Sequence, residues 1–418
     1  MAPYRVAQYR DAANNTHRLR SKPLTQPLFI DSLARIRRLL VFRLRFESTL
    51  EREEVLTKME VTKMKRHVLL SRLGVLVLGV CALTIGPSLL ADGGANHQAA
   101  NTNFGVSGGN INDSSRAFCC SGTLGSLVHS GTTNYILSNN HVLARSDQAA
   151  VGEDISQPGL IDNGCRVPPI VADFTTAAPL GSNVDAALAQ LRSGAMNTSG
   201  SIEDIGTISA VVKAPSVGLA VAKSGRTTGF TTGTIGSINT SVSVQYQKGC
   251  NSGKKFVVAY TNQVVINSTT FSAGGDSGSL IVSNNACHQP VALLYAGSSS
   301  STIGNPIGEV LTMLSTVLGS AVSFVGGTCS ASTEPVSDGA APSRRAVKLA
   351  TRAMRSQEVQ LMSQPGIIGI GVGAEDAVAG DAAIVVYIDA NSPLTAKVPR
   401  RINGVRVKKI YTEPFVAY

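Results

Sequence analysis

The chain contains no tryptophan, and only 5% of its 418 residues are aromatic. That scarcity does not bar a sizeable core, since a chain of this length can bury two or more domains. Charge is also sparse, at 15%, and unevenly spread. The formal net charge of +10 divides into +8 for residues 1–66, −1 for 67–330 and +3 for 331–418. The body of the chain therefore has no basic surface by composition. Nucleic acid is excluded as a partner on that ground, because phosphate recognition needs clustered Lys and Arg on a folded face. No two cysteines stand two residues apart and no histidine pair accompanies them, which argues against a zinc site. No apolar run reaches the roughly 20 residues of a membrane span; the run at Leu73–Ile85 has 13.

What the chain does have begins around that run. Lys63, Lys65 and Arg66 precede it, and Gly86-Pro87 followed by Ser88-Leu-Leu-Ala91 closes it. A charged start, an apolar centre and a small-residue exit describe a secretory signal peptide over 67–91. An uncleaved membrane anchor is the alternative. Either way the basic flank stays in the cytoplasm and the rest is exported to the periplasm or beyond; contact with a membrane is expected only if 67–91 stays uncleaved. Residues 1–66 read as a basic extension, and 1–58 as sequence lying upstream of the true start, with Met59 and Met64 as candidate starts. The rival reading is a cytoplasmic basic helix over Ser32–Met59.

Export suits the cysteines. With Cys81 inside the signal, six remain: Cys119, Cys120, Cys165, Cys250, Cys287 and Cys329. An even number in an exported chain predicts disulfides, with 15 possible pairings. Adjacent Cys119 and Cys120 are expected to take different partners.

Residues 92–115 are rich in Gly, Asn and Ser and read as a linker. From 116 to 329 short apolar runs alternate with Gly/Asn/Ser turns, as at Thr123–Val128, Tyr135–Leu137, Ala186–Leu191, Phe256–Tyr260, Val264–Ile266 and Leu280–Val282. Regular short strands of this kind predict an all-β sandwich or barrel. Ile307–Leu318 has helical spacing and closes that domain. Residues 330–343 form a second linker. Beyond it, Arg344–Gln364 reads as a helix stopped by Pro365-Gly366, followed by strands at Ile367–Val372, Ala383–Ile388 and Val405–Tyr411. Residues 344–418 are therefore expected to form a small α+β domain. Gly369-Ile-Gly371-Val-Gly373 superficially evokes a dinucleotide loop, but no helix pattern follows it and the glycine spacing is wrong.

Three segments carry chemistry. Gly274-Gly275-Asp276-Ser277-Gly278 sets a serine on a tight turn, where its hydroxyl is exposed and neighbouring N–H groups converge; acyl transfer needs both. In Tyr135-Ile-Leu-Ser-Asn-Asn-His141-Val, a strand end presents a histidine. In Asn183-Val-Asp185-Ala-Ala-Leu, one carboxylate opens an apolar run, where burial requires a hydrogen-bonding partner such as a histidine N–H. Asp173 is a nearby competitor for that role. The order His, Asp, Ser is one of the triad orders used by unrelated folds.

On these segments residues 116–329 resemble a trypsin-like serine peptidase. The motifs Cys120-Ser-Gly-Thr-Leu-Gly-Ser-Leu127, Lys223-Ser-Gly-Arg-Thr-Thr-Gly229 and Leu294-Tyr-Ala-Gly-Ser-Ser299 resemble a bacterial group related to the plant narrow-leaf protein. The resemblance implies a double β-barrel of chymotrypsin type and hydrolysis of protein or peptide substrates without a cofactor or metal. It implies Ser277 as nucleophile, His141 as base, Asp185 as the residue orienting it, and the N–H groups of Gly275 and Ser277 as the oxyanion hole. By position, Phe271 would lie at the base of the side-chain pocket and Tyr295, Ala296 and Gly297 along its wall. No carboxylate stands at that base, which argues against a preference for Arg or Lys. No activation sequence precedes the barrel, so Asp276 is expected to have a partner other than a freed amino terminus. The competing readings are a peptidase fold kept as an inactive binding scaffold, and an esterase using the same triad.

Overall fold

The computed structural model describes residues 95–250, 252–329, 341–376, 380–394 and 396–418. The expected extension and signal or anchor at 1–91, and most of the 330–343 linker, lie outside the described residues.

Seven strands build a first barrel: β1 (Val106–Asn110), β2 (Gly122–Leu124), β3 (Ser126–Ser130), β4 (Thr133–Ser138), β5 (Asp154–Ser156), β6 (Ile170–Ala177) and β7 (Ala187–Leu191). Their order is β3-β4-β7-β6-β5-β1-β2, antiparallel throughout. β2 runs on into β3 through Gly125, whose N–H donates to Leu137 O at 3.0 Å, so the sheet closes on itself. Alternating Leu127, Ile136, Leu188 and Phe174 fill the interior, as expected where one face of each strand is buried. A short ribbon, β8 (Ser201–Ile202) with β9 (Gly206–Thr207), follows.

The second barrel uses β10 (Ala220–Gly225), β11 (Gly229–Gln247), β12 (Lys255–Asn267), β13 (Leu280–Ser283), β14 (Pro290–Gly297) and β15 (Ser301–Pro306). The order β10-β13-β14-β15-β12-β11 closes through a direct β10–β11 pairing. Two closed antiparallel barrels in tandem are the architecture of the chymotrypsin type. β11 and β12 are long enough to extend past the barrel, pairing as far as Gln247 with Lys255. Helix α1 (Asn140–Leu143) follows β4, and α2 (Ile307–Leu318) follows β15 with the bounds its spacing predicts. α2 seats Ile307, Val310 and Leu314 in the first barrel's core, each contributing about 1.5–3 kcal/mol by burial. β16 (Ser323–Phe324) returns to pair with β3.

The C-terminal residues join the second sheet. β17 (Ile367–Ala374) pairs with β11, and β18 (Ala382–Asp389), β20 (Val405–Thr412) and β19 (Arg401–Ile402) continue outward. The expected single helix is two, α3 (Arg344–Arg355) and α4 (Glu358–Met362). The break falls at Gln357, which leaves helical geometry at φ −127°, next to Ser356, whose hydroxyl donates to Ala353 O. Ala350, Met354 and Leu361 form the face packed on β17 and β18. Gly369, Gly371 and Gly373 all lie inside β17, with a Cβ at Gly371 excluded by the side chain of Thr240; they serve close strand packing. A last strand, β21 (Phe415–Ala417), inserts between β11 and β14.

One boundary is corrected. Residues 104–110, read as linker, are buried and supply β1. Ser-Gly-Gly-Asn carries too little apolar alternation to announce a barrel strand.

Three disulfides close the described cysteines: Cys119–Cys165, Cys120–Cys250 and Cys287–Cys329. The adjacent pair takes different partners, and Cys120–Cys250 ties the first barrel to the turn after β11. Among the described residues, no helix is long and apolar enough to cross a membrane.

Candidate active site

The site lies where the two barrels meet. β4 ends at Ser138, and α1 begins two residues later, which lifts His141 to the rim. Asn139 anchors this corner by donating from Nδ2 to Asp185 O at 2.6 Å. Asp185 sits just ahead of β7, after Asn183 at φ +73°. It is fully buried. Its Oδ2 lies 2.6 Å from His141 Nδ1, and its Oδ1 accepts the His141 backbone N–H at 3.2 Å. The Asp185 N–H in turn donates to Asn305 Oδ1 at 2.9 Å. The competitor Asp173 points elsewhere, paired with Arg192 at 2.5 Å.

A residue that the sequence did not flag completes this group. Tyr246, from the long β11, donates its hydroxyl to Asp185 Oδ2 at 2.8 Å and lies 2.7 Å from the Tyr260 hydroxyl. Its ring meets His141 edge-on at 6.0 Å. Burial, and then the Asp185 charge, push the Tyr246 phenol well above its usual range, so it acts as a donor. In sequence it is one aromatic in an alternating strand, with nothing to mark it.

Ser277 lies on the turn between β12 and β13. Gly275 and Gly278 flank it at φ +98° and +95°, a region that disfavours other residues. The turn reaches across to the first barrel, where Ser277 O accepts from Thr123 N at 2.8 Å and Gly275 O from Thr123 Oγ1 at 2.9 Å. The N–H groups of Gly275 and Ser277 make no hydrogen bond to another described residue. Ser277 is fully buried, and its hydroxyl donates to Tyr295 O at 3.2 Å.

His141 Nε2 does not face Ser277 Oγ as a partner. It lies 2.9 Å from Tyr418 O. Both ring nitrogens thus face oxygen acceptors, and only the doubly protonated ring can donate to both. Burial alone would lower the His141 pKa, but the Asp185 carboxylate, the bond to Tyr418 and the charge of Asp113 outweigh it and raise it. Asp113, half-buried at the cleft mouth, is itself pushed up to about 6 by burial, against the opposing pull of His141 and Arg145.

Asp276 has a partner in its own barrel. Lys223 Nζ lies 3.5 Å away, both side chains having no exposure. Asp276 also accepts from Thr227 N at 2.8 Å, Thr228 Oγ1 at 2.7 Å and Ala273 N at 2.9 Å. Lys223 donates further to Thr228 Oγ1 and to Gly229 O.

The expected pocket residues divide. Ala296 and Gly297 are buried and pair through their backbone with β21, and Tyr295 offers its carbonyl to the Ser277 hydroxyl. The Tyr295 ring and Phe271 are both fully buried in separate core clusters.

A model of Peptidase family S64 matches residues 113–317. The region resembles a serine peptidase of the trypsin-like kind. No curated protein matches the chain. Among solved structures, Thermobifida fusca protease A is 19% identical, covering 55% of this chain and all of its own, with a TM-score of 0.37. Cellulomonas bogoriensis chymotrypsin is 18% identical over 54% of this chain and all of its own, at 0.36. A glutamic acid-specific serine protease is 21% identical over 53% of this chain and 98% of its own, at 0.37.

Proposed function

We propose that the protein is an exported serine endopeptidase acting through Ser277, His141 and Asp185. The observation that carries this reading is the buried Asp185 carboxylate on His141 Nδ1 at 2.6 Å, on the rim beside the Ser277 turn. A carboxylate there keeps the proton on Nδ1 and leaves Nε2 as the basic atom. The reading requires Ser277 Oγ to exchange its bond to Tyr295 O for one to the imidazole.

In that arrangement Oγ attacks the substrate carbonyl carbon while its proton passes to Nε2. The oxyanion that forms is met by the N–H groups of Gly275 and Ser277, each such donor being worth about 100- to 1000-fold in rate. Collapse breaks the C–N bond, and the proton on Nε2 leaves with the amine. Water then attacks the acyl-enzyme carbonyl, giving a proton to Nε2; collapse breaks the bond to Oγ, the acid product leaves, and Nε2 returns the proton to Ser277. The substrate is a protein or peptide, as the peptidase family implies.

A second reading has its own observation. Ser277 is fully buried and bonded to a carbonyl rather than to His141, which suits a peptidase fold retained as a scaffold. Labelling with a fluorophosphonate separates the two. Labelling lost in Ser277→Ala supports the enzyme; a chain that resists the probe in every form, with casein and simple esters both uncleaved, supports the scaffold. Cleavage of esters alone would indicate an esterase. Export rests on the signal-like 67–91 segment and accords with the three disulfides. Mass spectrometry of the mature amino terminus tests that segment's role, and a peptide from residues 1–58 on the exported protein would refute the signal-peptide reading.

A further inference from the structure

The last four residues lie in the cleft as a bound peptide would. β21 runs antiparallel to β14, with Val416 opposite Gly297 and Ala417 opposite Ala296. On its other side it pairs with β11, Phe415 opposite Val244 and Val416 opposite Gln245. An extended segment added to a sheet edge this way gains affinity from the backbone and specificity from alternate side chains. Its direction carries the Tyr418 carbonyl to 2.9 Å from His141 Nε2. The Tyr418 ring packs against the apolar cluster that includes Phe271, and its hydroxyl donates to Ser298 O at 2.8 Å. Gly297 gives the ring its room, since a Cβ there would meet the Tyr418 hydroxyl. The segment also borders a groove of about 520 Å³ that Asp113, Phe118 and Arg145 edge.

The geometry points to two linked properties: the pocket beside Gly297 takes an aromatic side chain, tyrosine above all, from the residue whose carbonyl is attacked, and Phe415–Tyr418 fills that subsite in cis and keeps the site closed. The substrate preference rests on the peptidase reading; the occupancy does not. Backbone pairing, pocket and carbonyl position are independent features, and one segment satisfies all three. A tethered segment competes at an effective concentration on the order of mM, so an untethered substrate must displace it before reaction.

The test uses the whole chain carrying Ser277→Ala, compared with the same chain lacking Ala417 and Tyr418. This truncation leaves Phe415 in its core position, and a full-length Tyr418→Asp chain provides a second release of the pocket. The probe is a fluorescein-labelled peptide ending in Phe-Val-Ala-Tyr, followed by anisotropy, with near-UV circular dichroism to check folding. We expect saturable binding to the truncated and Tyr418→Asp chains, and binding weaker by at least about tenfold, one step of the affinity scale, to the intact one. Replacing the last tyrosine of the probe by Arg or Glu should cost a similar factor, as should Gly297→Val in the truncated chain. Equal binding to intact and truncated chains, no binding to either, or indifference to the last side chain would overturn the inference. Fluorophosphonate labelling of the Ser277 forms keeps the two readings apart: if Ser277 never labels while peptide binding follows the expected pattern, the peptidase reading fails and the occupancy stands.

Discussion

Asp185 and Asp276 set the same electrostatic problem in two barrels. Each is fully buried, each faces one basic side chain, and each accepts further hydrogen bonds. A buried carboxylate is tolerated only when paired and bonded. The difference lies in the partner. Asp185 faces His141, whose side chain keeps 10% exposure and whose second nitrogen opens on the cleft. Asp276 faces Lys223, which has none, and its remaining contacts are backbone and threonine groups of neighbouring turns. One pair can exchange a proton with a ligand; the other fixes the turn that carries Ser277. Burial supplies the rigidity in both cases, and access to the cleft decides which pair is available to a substrate under the proposed function.

The comparison breaks most sharply at Asp185→Asn. The volume is kept, but an amide cannot hold the His141 tautomer as a carboxylate does. Hydrolysis of a tyrosine peptide, measured in the chain lacking residues 417–418, should fall by about 10⁴-fold, with a thermal midpoint close to that of the parent. A fall of less than tenfold would show that Asp185 does not orient the base.

Lys223→Met tests the other pair. It leaves Asp276 buried without its cation, and breaking such a pair costs about 3–5 kcal/mol. The unfolding free energy from urea titration should drop by that amount with its slope unchanged. Ser277 labelling should drop with it even where the chain is fully folded, because the turn loses its anchor. Unchanged stability would mean that the hydrogen bonds from Thr227, Thr228 and Ala273 to Asp276 suffice alone.

Tyr246→Phe probes a finer asymmetry. Asp185 alone of the two carboxylates has a phenol donor, at 2.8 Å. A hydrogen bond to a charged group is worth about 1.5–3 kcal/mol, so the rate should fall by about 10- to 100-fold with KM little changed. An effect confined to stability would make Tyr246 a packing residue.

These two pairs also mark where sequence reasoning reached and where it stopped. The segments holding His141, Asp185 and Ser277 stood out for local reasons: a histidine at a strand end, a lone carboxylate opening an apolar run, and a serine on a glycine-flanked turn. α2 and the strands β17, β18 and β20 were legible because apolar spacing states its own period. Lys223 was not legible as the partner of Asp276: lysine is almost never fully buried, and 53 positions separate it from the carboxylate. Tyr246 lies on a strand so rich in Ser, Thr and Gly that its length gave no signal. β21 is three residues long, and nothing local announces that Phe-Val-Ala-Tyr will cross the cleft. What the sequence conceals is contact between distant segments.

The smallest effect concerns the proton that distinguishes the two pairs. His141 is held above its ordinary pKa partly by the bond to Tyr418, alongside Asp185 and Asp113. Removing residues 417–418 removes a hydrogen bond that favours the charged ring and also relieves burial that disfavours it; we expect the lost bond to outweigh the relieved burial and the His141 pKa to fall in the shortened chain. Linkage gives the same sign from the other side. Docking of Tyr418 favours the protonated ring, so it is strongest below the pKa of the undocked ring and weakens as pH rises through the docked value. The nucleophile needs the neutral ring, and the rate therefore climbs with pH in both chains. The climb should begin at lower pH in the chain lacking 417–418. Asp113, which titrates at about 6, is present in both chains, as are Arg145 and Tyr246, so each shapes the two profiles alike. The difference between profiles isolates Tyr418. Fluorophosphonate labelling rates across pH 5 to about 9, the range in which histidine changes charge, measure it directly. Superimposable profiles would show that the Tyr418 oxygen does not hold the proton on His141.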